Sequence, residues 1–264
     1  MAHMVQSGHI GGAFSRDISK GGMCAWRLPP DERCASIARS LVRGAAAPLG
    51  LERGIVEDVV LAASELVTNA LNHALRAWAD IAPMPPVPSE LWMWARTTPK
   101  PQLVVSVFDA CRSSQPTIAP KDVLDDHGKG LSIVDLLADS WGVHPSRSWA
   151  GDGVRGKAVW CAFALPHPWP HRPLTSPPTA TAGHLASSLR SRGLNVVEGY
   201  GRRVSVVSVL AEAGRELNVW IEPTHLSYNA GATRVRRPIA DLYDAGEDIV
   251  RWSEADAITE TRRR

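Results

Sequence analysis

Apolar residues between Cys34 and Val42 recur at three- and four-residue intervals, which is the spacing of one face of a helix. Asp31 precedes them as a candidate cap, and Pro48 lies where the pattern stops, so the sequence predicts a helix that ends near Pro48. A longer helical pattern follows over residues 54–79. The first part of the chain is therefore expected to begin with two helices.

Shorter apolar segments after these helices have the length and residue types of strands. Glu90–Arg96 and Gln102–Asp109 are one predicted pair, and Trp141–Ser148 and Lys157–Leu165 are a predicted hairpin. Between the two pairs, Gly128–Gly130 begin a third amphipathic helix. This order favours an α+β fold, a two-layer sandwich with helices on one face of a mixed or antiparallel sheet.

A proline-rich segment, residues 166–182, separates this part from the rest of the chain. Its six prolines fit neither a helix interior nor a central strand, so we expect a stiff, extended linker. The predicted organisation is a tail over residues 1–23, a larger unit over 24–165, and a second, smaller α+β unit over 183–264.

The second unit is predicted to contain a short helix, three strands and a final helix, at His184–Ser191, Leu194–Glu198, Arg203–Leu210, Glu216–Glu222 and Ile239–Ala255. It contains no recognisable catalytic combination of residues, so partner binding, regulation or dimerisation is its expected role. Its charged clusters are interpreted as solvated surface, namely Asp241, Asp244, Glu247 and Asp248 along the final helix, and Arg234, Arg236 and Arg237 before it.

The composition of the 264-residue chain is that of a globular protein, with 44% hydrophobic and 21% charged residues. Its net charge of +2 is too balanced for a protein built around nucleic acid, so no direct contact with nucleic acid is expected. No apolar run approaches the roughly 20 residues that a membrane-spanning helix needs. The four cysteines lie far apart and no secretion signal is recognised, so we expect reduced thiols and a cytoplasmic location.

Candidate chemistry begins in the second helix, in the segment Ser64–Ala74. Glu65, Asn69 and Asn72 form a polar stripe beside an apolar arc, and His73 lies at its edge. The Asn69 carboxamide offers a neutral oxygen to a cation such as Mg²⁺, and Glu65, one turn earlier, could orient or deprotonate a nucleophile. Taken alone, such a stripe is also typical of an exposed helix face.

Two later positions add to this pattern. Asp109 ends an apolar strand, where its carboxylate could accept a hydrogen bond from an exocyclic amine such as that of adenine. Gly128, Lys129, Gly130 and Leu131 open the third helix, where glycine N–H groups can approach an anion and Lys129 adds a positive charge. Each feature alone is also compatible with an ordinary turn.

In combination, four segments resemble the sequence boxes of the GHKL ATPase superfamily. They correspond to its N-box, adenine-recognition box, second glycine box and closing strand, and are Glu65-x-x-x-Asn69, Asp109, Gly128–Leu131 and Gly156–Trp160. Within the superfamily the chain is most similar to anti-sigma factor serine/threonine kinases, which phosphorylate anti-anti-sigma factors. That similarity is strongest in Trp26–Pro29, Ser64–Ala74 and Gly130–Val143, and the likeness extends over residues 24–165.

The resemblance implies a Bergerat-type ATPase fold with ATP and Mg²⁺ as cofactors. It implies that Asn69 holds the Mg²⁺, that Glu65 is the catalytic base, and that Asp109 recognises adenine. The remaining ATP-binding residues that it implies are Asn72, His73, Gly128, Lys129, Gly130 and Leu131. The implied partner is a sigma factor, an anti-anti-sigma factor or another transcription regulator, with no membrane involved, and a homodimer is compatible with the family.

Two alternatives remain open at this point. One is a catalytically silent module that senses nucleotide, or acts without it, by sequestering a regulator. Cys111 and Ala158 favour this alternative because they replace residues usual in the family. The other is a slow ATPase in which a lid over residues 113–127 drives dimer closure. A P-loop at residues 151–158 is rejected, because Ala158 replaces the required hydroxyl and a strand follows it.

Overall fold

The part of the chain that the structure describes forms two five-stranded antiparallel sheets with flanking helices. They are seen in a computed structural model that describes residues 16–79, 87–112, 129–151, 153–166, 168–170, 172–211 and 214–261. The α+β class that the sequence predicts is confirmed. None of the helices within these ranges is both long and apolar enough to cross a membrane.

The first sheet has the strand order β1-β2-β3-β5-β4, and each neighbouring pair is antiparallel. Its strands are β1 (Met23–Arg27), β2 (Glu90–Arg96), β3 (Gln102–Asp109), β4 (Ser140–Arg147) and β5 (Arg155–Ala164). Strand β1 is not among the predicted strands, because its first four side chains are all buried and show no alternation. The other four strands are confirmed.

Three helices accompany this sheet: α1 (Arg33–Ala46), α2 (Arg53–Ala79) and α3 (Lys129–Leu137). All three agree with the predicted positions. The Asp31 carboxylate accepts a hydrogen bond from the Arg33 backbone N–H at 2.9 Å, so it stabilises the first turn of α1 as expected. Ile18, within the predicted tail, is buried in the same core as these helices.

The side chains on the two faces of the first sheet pack into two different hydrophobic cores. The helix-facing residues pack with α1, α2 and α3, and include Leu91, Met93, Val105 and Val107. The residues on the opposite face are covered by the C-terminal part of the chain, and include Trp92, Trp94, Phe108 and Ala158. Every residue of β3 is consequently buried.

The second sheet has the strand order β10-β9-β8-β7-β6. Its strands are β6 (Asn195–Gly199), β7 (Ser205–Leu210), β8 (Glu216–Ile221), β9 (His225–Ala230) and β10 (Thr233–Pro238), and it is accompanied by α4 (Pro178–Ser191) and α5 (Leu242–Thr261). Strands β9 and β10 are not among the predicted strands, because their charged and polar residues obscure the alternation of apolar and polar positions. Helix α4 begins at Pro178, inside the segment predicted as a linker, because proline is well tolerated at the first turn of a helix.

The acidic residues of the last helical segment face the first sheet, so their interpretation as a solvated surface is wrong. Asp241, Asp244 and Glu247 are buried. The Asp241 carboxylate accepts hydrogen bonds from the backbone N–H groups of Thr97 and Thr98, at 2.5 and 3.1 Å. The sequence pattern of a charged helix face does not reveal this, because the groups that pair with it come from distant parts of the chain.

Arg237 is paired with acidic residues of α5 and is not free surface charge. Its guanidinium lies 2.7 Å from an Asp244 oxygen and 2.6 Å from an Asp248 oxygen. Arg234 and Arg236, in contrast, are exposed, as expected. The prediction of surface charge is therefore wrong for Arg237 and correct for its two neighbours.

A buried arginine joins the two sheets. Arg192 follows α4, has no exposed surface, and forms an ion pair with Glu247. Its guanidinium carbon lies 5.3 Å from the ring centre of Trp92 and 4.9 Å from that of Trp149, so the cation also contacts two aromatic faces. This contact connects the outer face of the first sheet with α4 and α5.

Candidate functional site

Glu65 and Asn69 of α2 meet the first turn of α3. A Cβ atom built on Gly130 would lie 2.8 Å from Glu65 Oε2 and 3.1 Å from Asn69 Nδ2. Both distances are too short for an unperturbed contact, so the position requires a glycine if the two polar side chains are to stay where they are. The structure thus brings together three of the predicted site residues.

The apolar arc of α2 fixes the direction of these polar groups. Ala63, Leu66, Val67 and Ala70 are buried in the core between helices and sheet. Because Glu65 and Asn69 are adjacent to that arc and one turn apart, they are only half-buried and point along the border of the core. Leu131 anchors the start of α3 in the same core, so its contribution to the site is one of packing.

The other two predicted residues of α2 differ in exposure. Asn72 is exposed, and His73 is half-buried. Among the effects on the Asp109 carboxyl, His73 is a minor one that lowers its pKa, which indicates that the two groups are near each other. His73 therefore lies on the Asp109 side of the site.

Asp109 ends β3 as predicted, but its carboxylate is already engaged. It is only 3% exposed, and its Oδ1 accepts hydrogen bonds from Lys157 Nζ and from the Cys111 backbone N–H, both at 2.8 Å. Burial raises the pKa of this carboxyl, while the Lys157 ammonium and the Cys111 N–H act in the opposite direction. Because both of these donors bind Oδ1, a ligand amine would approach the Oδ2 oxygen.

Lys157 is a residue of the site to which the sequence analysis assigns no role. It lies directly opposite Asp109 in the β3–β5 register, and its Nζ also donates to the Cys111 carbonyl oxygen at 2.5 Å. The signal that could have found it is the antiparallel pairing of the two strands, which places both charged residues at one end. Gly156 next to it permits this close approach, since a Cβ there would lie 2.2 Å from the Asp109 carbonyl oxygen.

Ala158 lies on the opposite face of the sheet from the site. It is buried in the cluster that contains Trp92 and Phe108, and it pairs with Phe108 across β3 and β5. A hydroxyl at this position would therefore face the C-terminal part of the chain instead of Asn69 and Glu65. The replacement at Ala158 consequently gives no support to a loss of nucleotide binding.

Part of the predicted phosphate-binding segment lies outside the described residues. This holds for Gly128 and for the predicted lid over residues 113–127. Lys129 begins α3, but only its backbone is described. Gly130 and Leu131 are thus the two members of this segment whose surroundings the structure defines.

The end of β3 is also tied to α5. Arg112 lies three residues after Asp109, and its Nη1 is 2.7 Å from an oxygen of Glu254, which is fully buried. Glu254 receives a second guanidinium, that of Arg147 on β4, at 2.6 Å. The Asp109 end of the site is therefore held against the C-terminal helix by ion pairs.

A cation at this site would be coordinated partly by the protein and partly by a bound ligand, instead of by protein ligands alone. Within the ranges that the structure describes, no group of three or more His, Cys, Asp and Glu residues could hold a metal ion. The Asn69 carboxamide, which faces the first turn of α3, is the kind of single protein ligand that Mg²⁺ can use when phosphates and water complete its shell. This arrangement fits Mg²⁺ with a phosphate ligand.

No protein-family model matches the chain, and no curated protein was found to match it. The functional interpretation consequently depends on the residues and contacts described above.

Proposed function

We propose that the first part of the chain is a GHKL-type ATP- and Mg²⁺-binding unit, similar to an anti-sigma factor serine/threonine kinase. Its proposed task is to phosphorylate or sequester a transcription-regulatory protein. The observation that carries the proposal is the meeting of Glu65 and Asn69 with Gly130 at the start of α3. Two segments that are separated in sequence, and that each have residues suited to phosphate chemistry, meet there.

Each residue has a defined part in this proposal. Bound ATP with Mg²⁺ would supply a transferable phosphoryl group. Asn69 would hold the cation through its carboxamide oxygen, and the N–H groups at the start of α3 would bind phosphate oxygens. Glu65 would accept the proton of a serine or threonine hydroxyl, as a general base placed beside the bound phosphates does.

One observation favours a second candidate, a binding module that acts without nucleotide. The Asp109 carboxylate is buried and bonded to Lys157 and to the Cys111 N–H. In this arrangement the group expected to recognise adenine already has partners of its own. Such a module would sequester its regulator without ATP.

Calorimetric titration of the full chain with ATP and Mg²⁺ separates the two candidates. We expect binding to the wild type, and a loss of at least about tenfold in affinity for Asn69→Ala, since a cation ligand is removed. Glu65→Gln should retain ATP but reduce phosphoryl transfer to an antagonist protein by about 100-fold or more, as expected for loss of a general base.

Glu57→Gln is the matched control, because Glu57 is an exposed residue of the same helix whose partner is Arg43. It should bind and transfer like the wild type. Absence of ATP binding at millimolar concentration would contradict the proposal and leave the nucleotide-independent module. ATP binding with equal transfer by wild type and Glu65→Gln would contradict the role of Glu65.

A further inference from the structure

A cavity of about 190 Å³ lies between the first sheet and α5. Four side chains from four neighbouring strands form its floor: Trp94 on β2, Val104 on β3, Trp160 on β5 and His144 on β4. Trp94 and Val104 belong to the face of the sheet that the C-terminal part of the chain covers. The cavity is therefore on the opposite face of the sheet from α1, α2 and α3.

The other wall of the cavity is charged. One face of α5 supplies most of it, with residues three and four positions apart, namely Asp244, Glu247, Asp248 and Arg251. Arg237 at the end of β10 completes this wall. The Arg251 side chain is 55% exposed, whereas Trp94 is only 3% exposed, so the cavity extends from solvent into the interior.

Each carboxylate of this wall already has a cationic partner. Asp244 lies 2.7 Å from Arg237. Asp248 lies 2.6 Å from both Arg237 and Arg251. Glu247 forms its ion pair with the buried Arg192 behind the wall. The three acidic residues consequently do not make the cavity a site for a cation.

Arg96 is the least closely paired of the arginines that line the cavity. Its Nη1 is 3.6 Å from the Asp244 carboxylate, and its Nε and Nη2 donate to the neutral Gln102 side chain at 3.1 and 2.8 Å. Its guanidinium carbon lies 5.1 Å from the ring centre of Trp160. Arg96 therefore brings positive charge to an aromatic wall, with no close carboxylate of its own.

Two buried N–H groups at the cavity lack an acceptor. Trp94 Nε1 and Arg237 Nε form no hydrogen bond within the part of the chain that the structure describes. Buried donors in proteins nearly always have a partner. Both groups belong to residues that line the cavity, and both are donors. A ligand with acceptor oxygens would supply what they lack.

We propose that this cavity binds a small aromatic carboxylate. Its carboxylate would pair with Arg96 and accept a hydrogen bond from Trp94 Nε1, since hydrogen bonds between charged groups are the strong ones. Its ring would lie against the indoles of Trp94 and Trp160. A cavity of roughly 150 Å³ holds benzene, so one of about 190 Å³ has room for a single ring with a carboxylate.

Such a ligand would contact both parts of the chain at once, with Arg96 from the first sheet and Arg237 from the second. Its binding would stabilise the contact between the two parts. The inference does not depend on ATP binding, because Glu65 and Asn69 lie on α2, which packs against the other face of the first sheet.

Calorimetric titration of the full chain with sodium benzoate, without nucleotide, tests the proposal. We expect benzoate to bind and to raise the midpoint of thermal unfolding. Benzamide keeps the ring but has no charge, and acetate keeps the charge but has no ring. Each should bind at least about tenfold more weakly than benzoate.

Two variants test the location of the site. Arg96→Gln removes the cation, so it should weaken benzoate binding at least about tenfold. Val104→Ile adds a methyl group to the cavity floor and removes no charge, and it should also weaken binding. Arg43→Gln is the matched control, because Arg43 lies on α1, on the other face of the sheet, and pairs with the exposed Glu57.

The control variant should bind benzoate like the wild type, and circular dichroism should show each variant folded. Absence of benzoate binding at millimolar concentration would overturn the proposal. Binding that neither Arg96→Gln nor Val104→Ile weakens would also overturn it. Benzamide or acetate binding as tightly as benzoate would contradict the assignment of an aromatic carboxylate.

Discussion

The two sheets of this protein are built from the same kind of antiparallel strands but differ in how they are covered. All eight residues of β3 are buried, whereas β7 and β8 alternate between buried and more exposed positions. The first sheet is enclosed by three helices on one face and by the C-terminal part on the other. The tryptophans of β2 are therefore buried, whereas Trp220 on β8 is partly exposed.

Removing Arg192, which joins the two parts of the chain, should destabilise the protein strongly. Arg192→Ala would leave Glu247 buried without its cation, and breaking a buried pair typically destabilises a protein by about 3–5 kcal/mol. Chemical denaturation measures this loss. Arg251→Ala, which breaks the exposed Arg251–Asp248 pair, should change stability by less than about 1 kcal/mol. Equal effects of the two variants would refute a structural role for the buried pair.

A pair of tryptophan substitutions tests the difference between the sheets directly. Trp92 stacks on Phe108 with ring centres 5.6 Å apart and donates to Glu90 at 3.0 Å, so Trp92→Ala should destabilise the protein by about 3–5 kcal/mol. Trp220→Ala should remain within about 1 kcal/mol of the wild type, as surface substitutions usually do. Similar losses of stability for both variants, in thermal and chemical unfolding, would contradict the difference in burial between the two sheets.

Acidification should weaken the contact between the two parts. Burial alone would raise the pKa of Glu247, but Arg192, His144 and the hydrogen bond from Ser146 hold it below its ordinary value of 4.5. Between the folded and unfolded pKa values the unfolded chain binds more protons, so this stabilisation is complete above pH 4.5 and is lost as pH falls through the folded pKa.

Glu247→Gln should remove that dependence, flattening the slope of unfolding free energy against pH by about 1 kcal/mol per pH unit below that value. Denaturant titrations at a series of acidic pH values measure it. An unchanged slope in Glu247→Gln would show that the acid sensitivity arises from other carboxylates. Tyr228, also in the second part, is no source of this effect, since burial raises its pKa away from the acid range.

Local patterns in the sequence were enough to predict most of the elements. The helices at Arg33–Ala46, Arg53–Ala79 and Lys129–Leu137 have strong apolar periodicity, and their predictions are confirmed. Predictions that needed partners from elsewhere in the chain were wrong. Glu247 and Arg237 are typical surface charges in sequence, and only tertiary contacts bury Glu247 and half-bury Arg237.

The candidate site shows the same division. Helical spacing alone places Glu65 and Asn69 side by side, because they are one turn apart on the same helix. The engagement of Asp109 by Lys157 depends on the pairing of β3 with β5, which single-sequence patterns do not specify. The direction in which residue 158 points depends on the same register. The effect of having alanine there, where the resembled family has a hydroxyl, could therefore not be interpreted before the fold was known.

Gly130→Ala tests the central claim most directly, because a Cβ there would lie 2.8 Å from Glu65 Oε2 and 3.1 Å from Asn69 Nδ2. Gly44→Ala is the matched control in α1, where a Cβ would meet no atom within 4 Å. In calorimetric titration with ATP and Mg²⁺, we predict that Gly130→Ala loses at least about tenfold in affinity while Gly44→Ala binds like the wild type. Equal, tight ATP binding by both variants would contradict a nucleotide site at the start of α3.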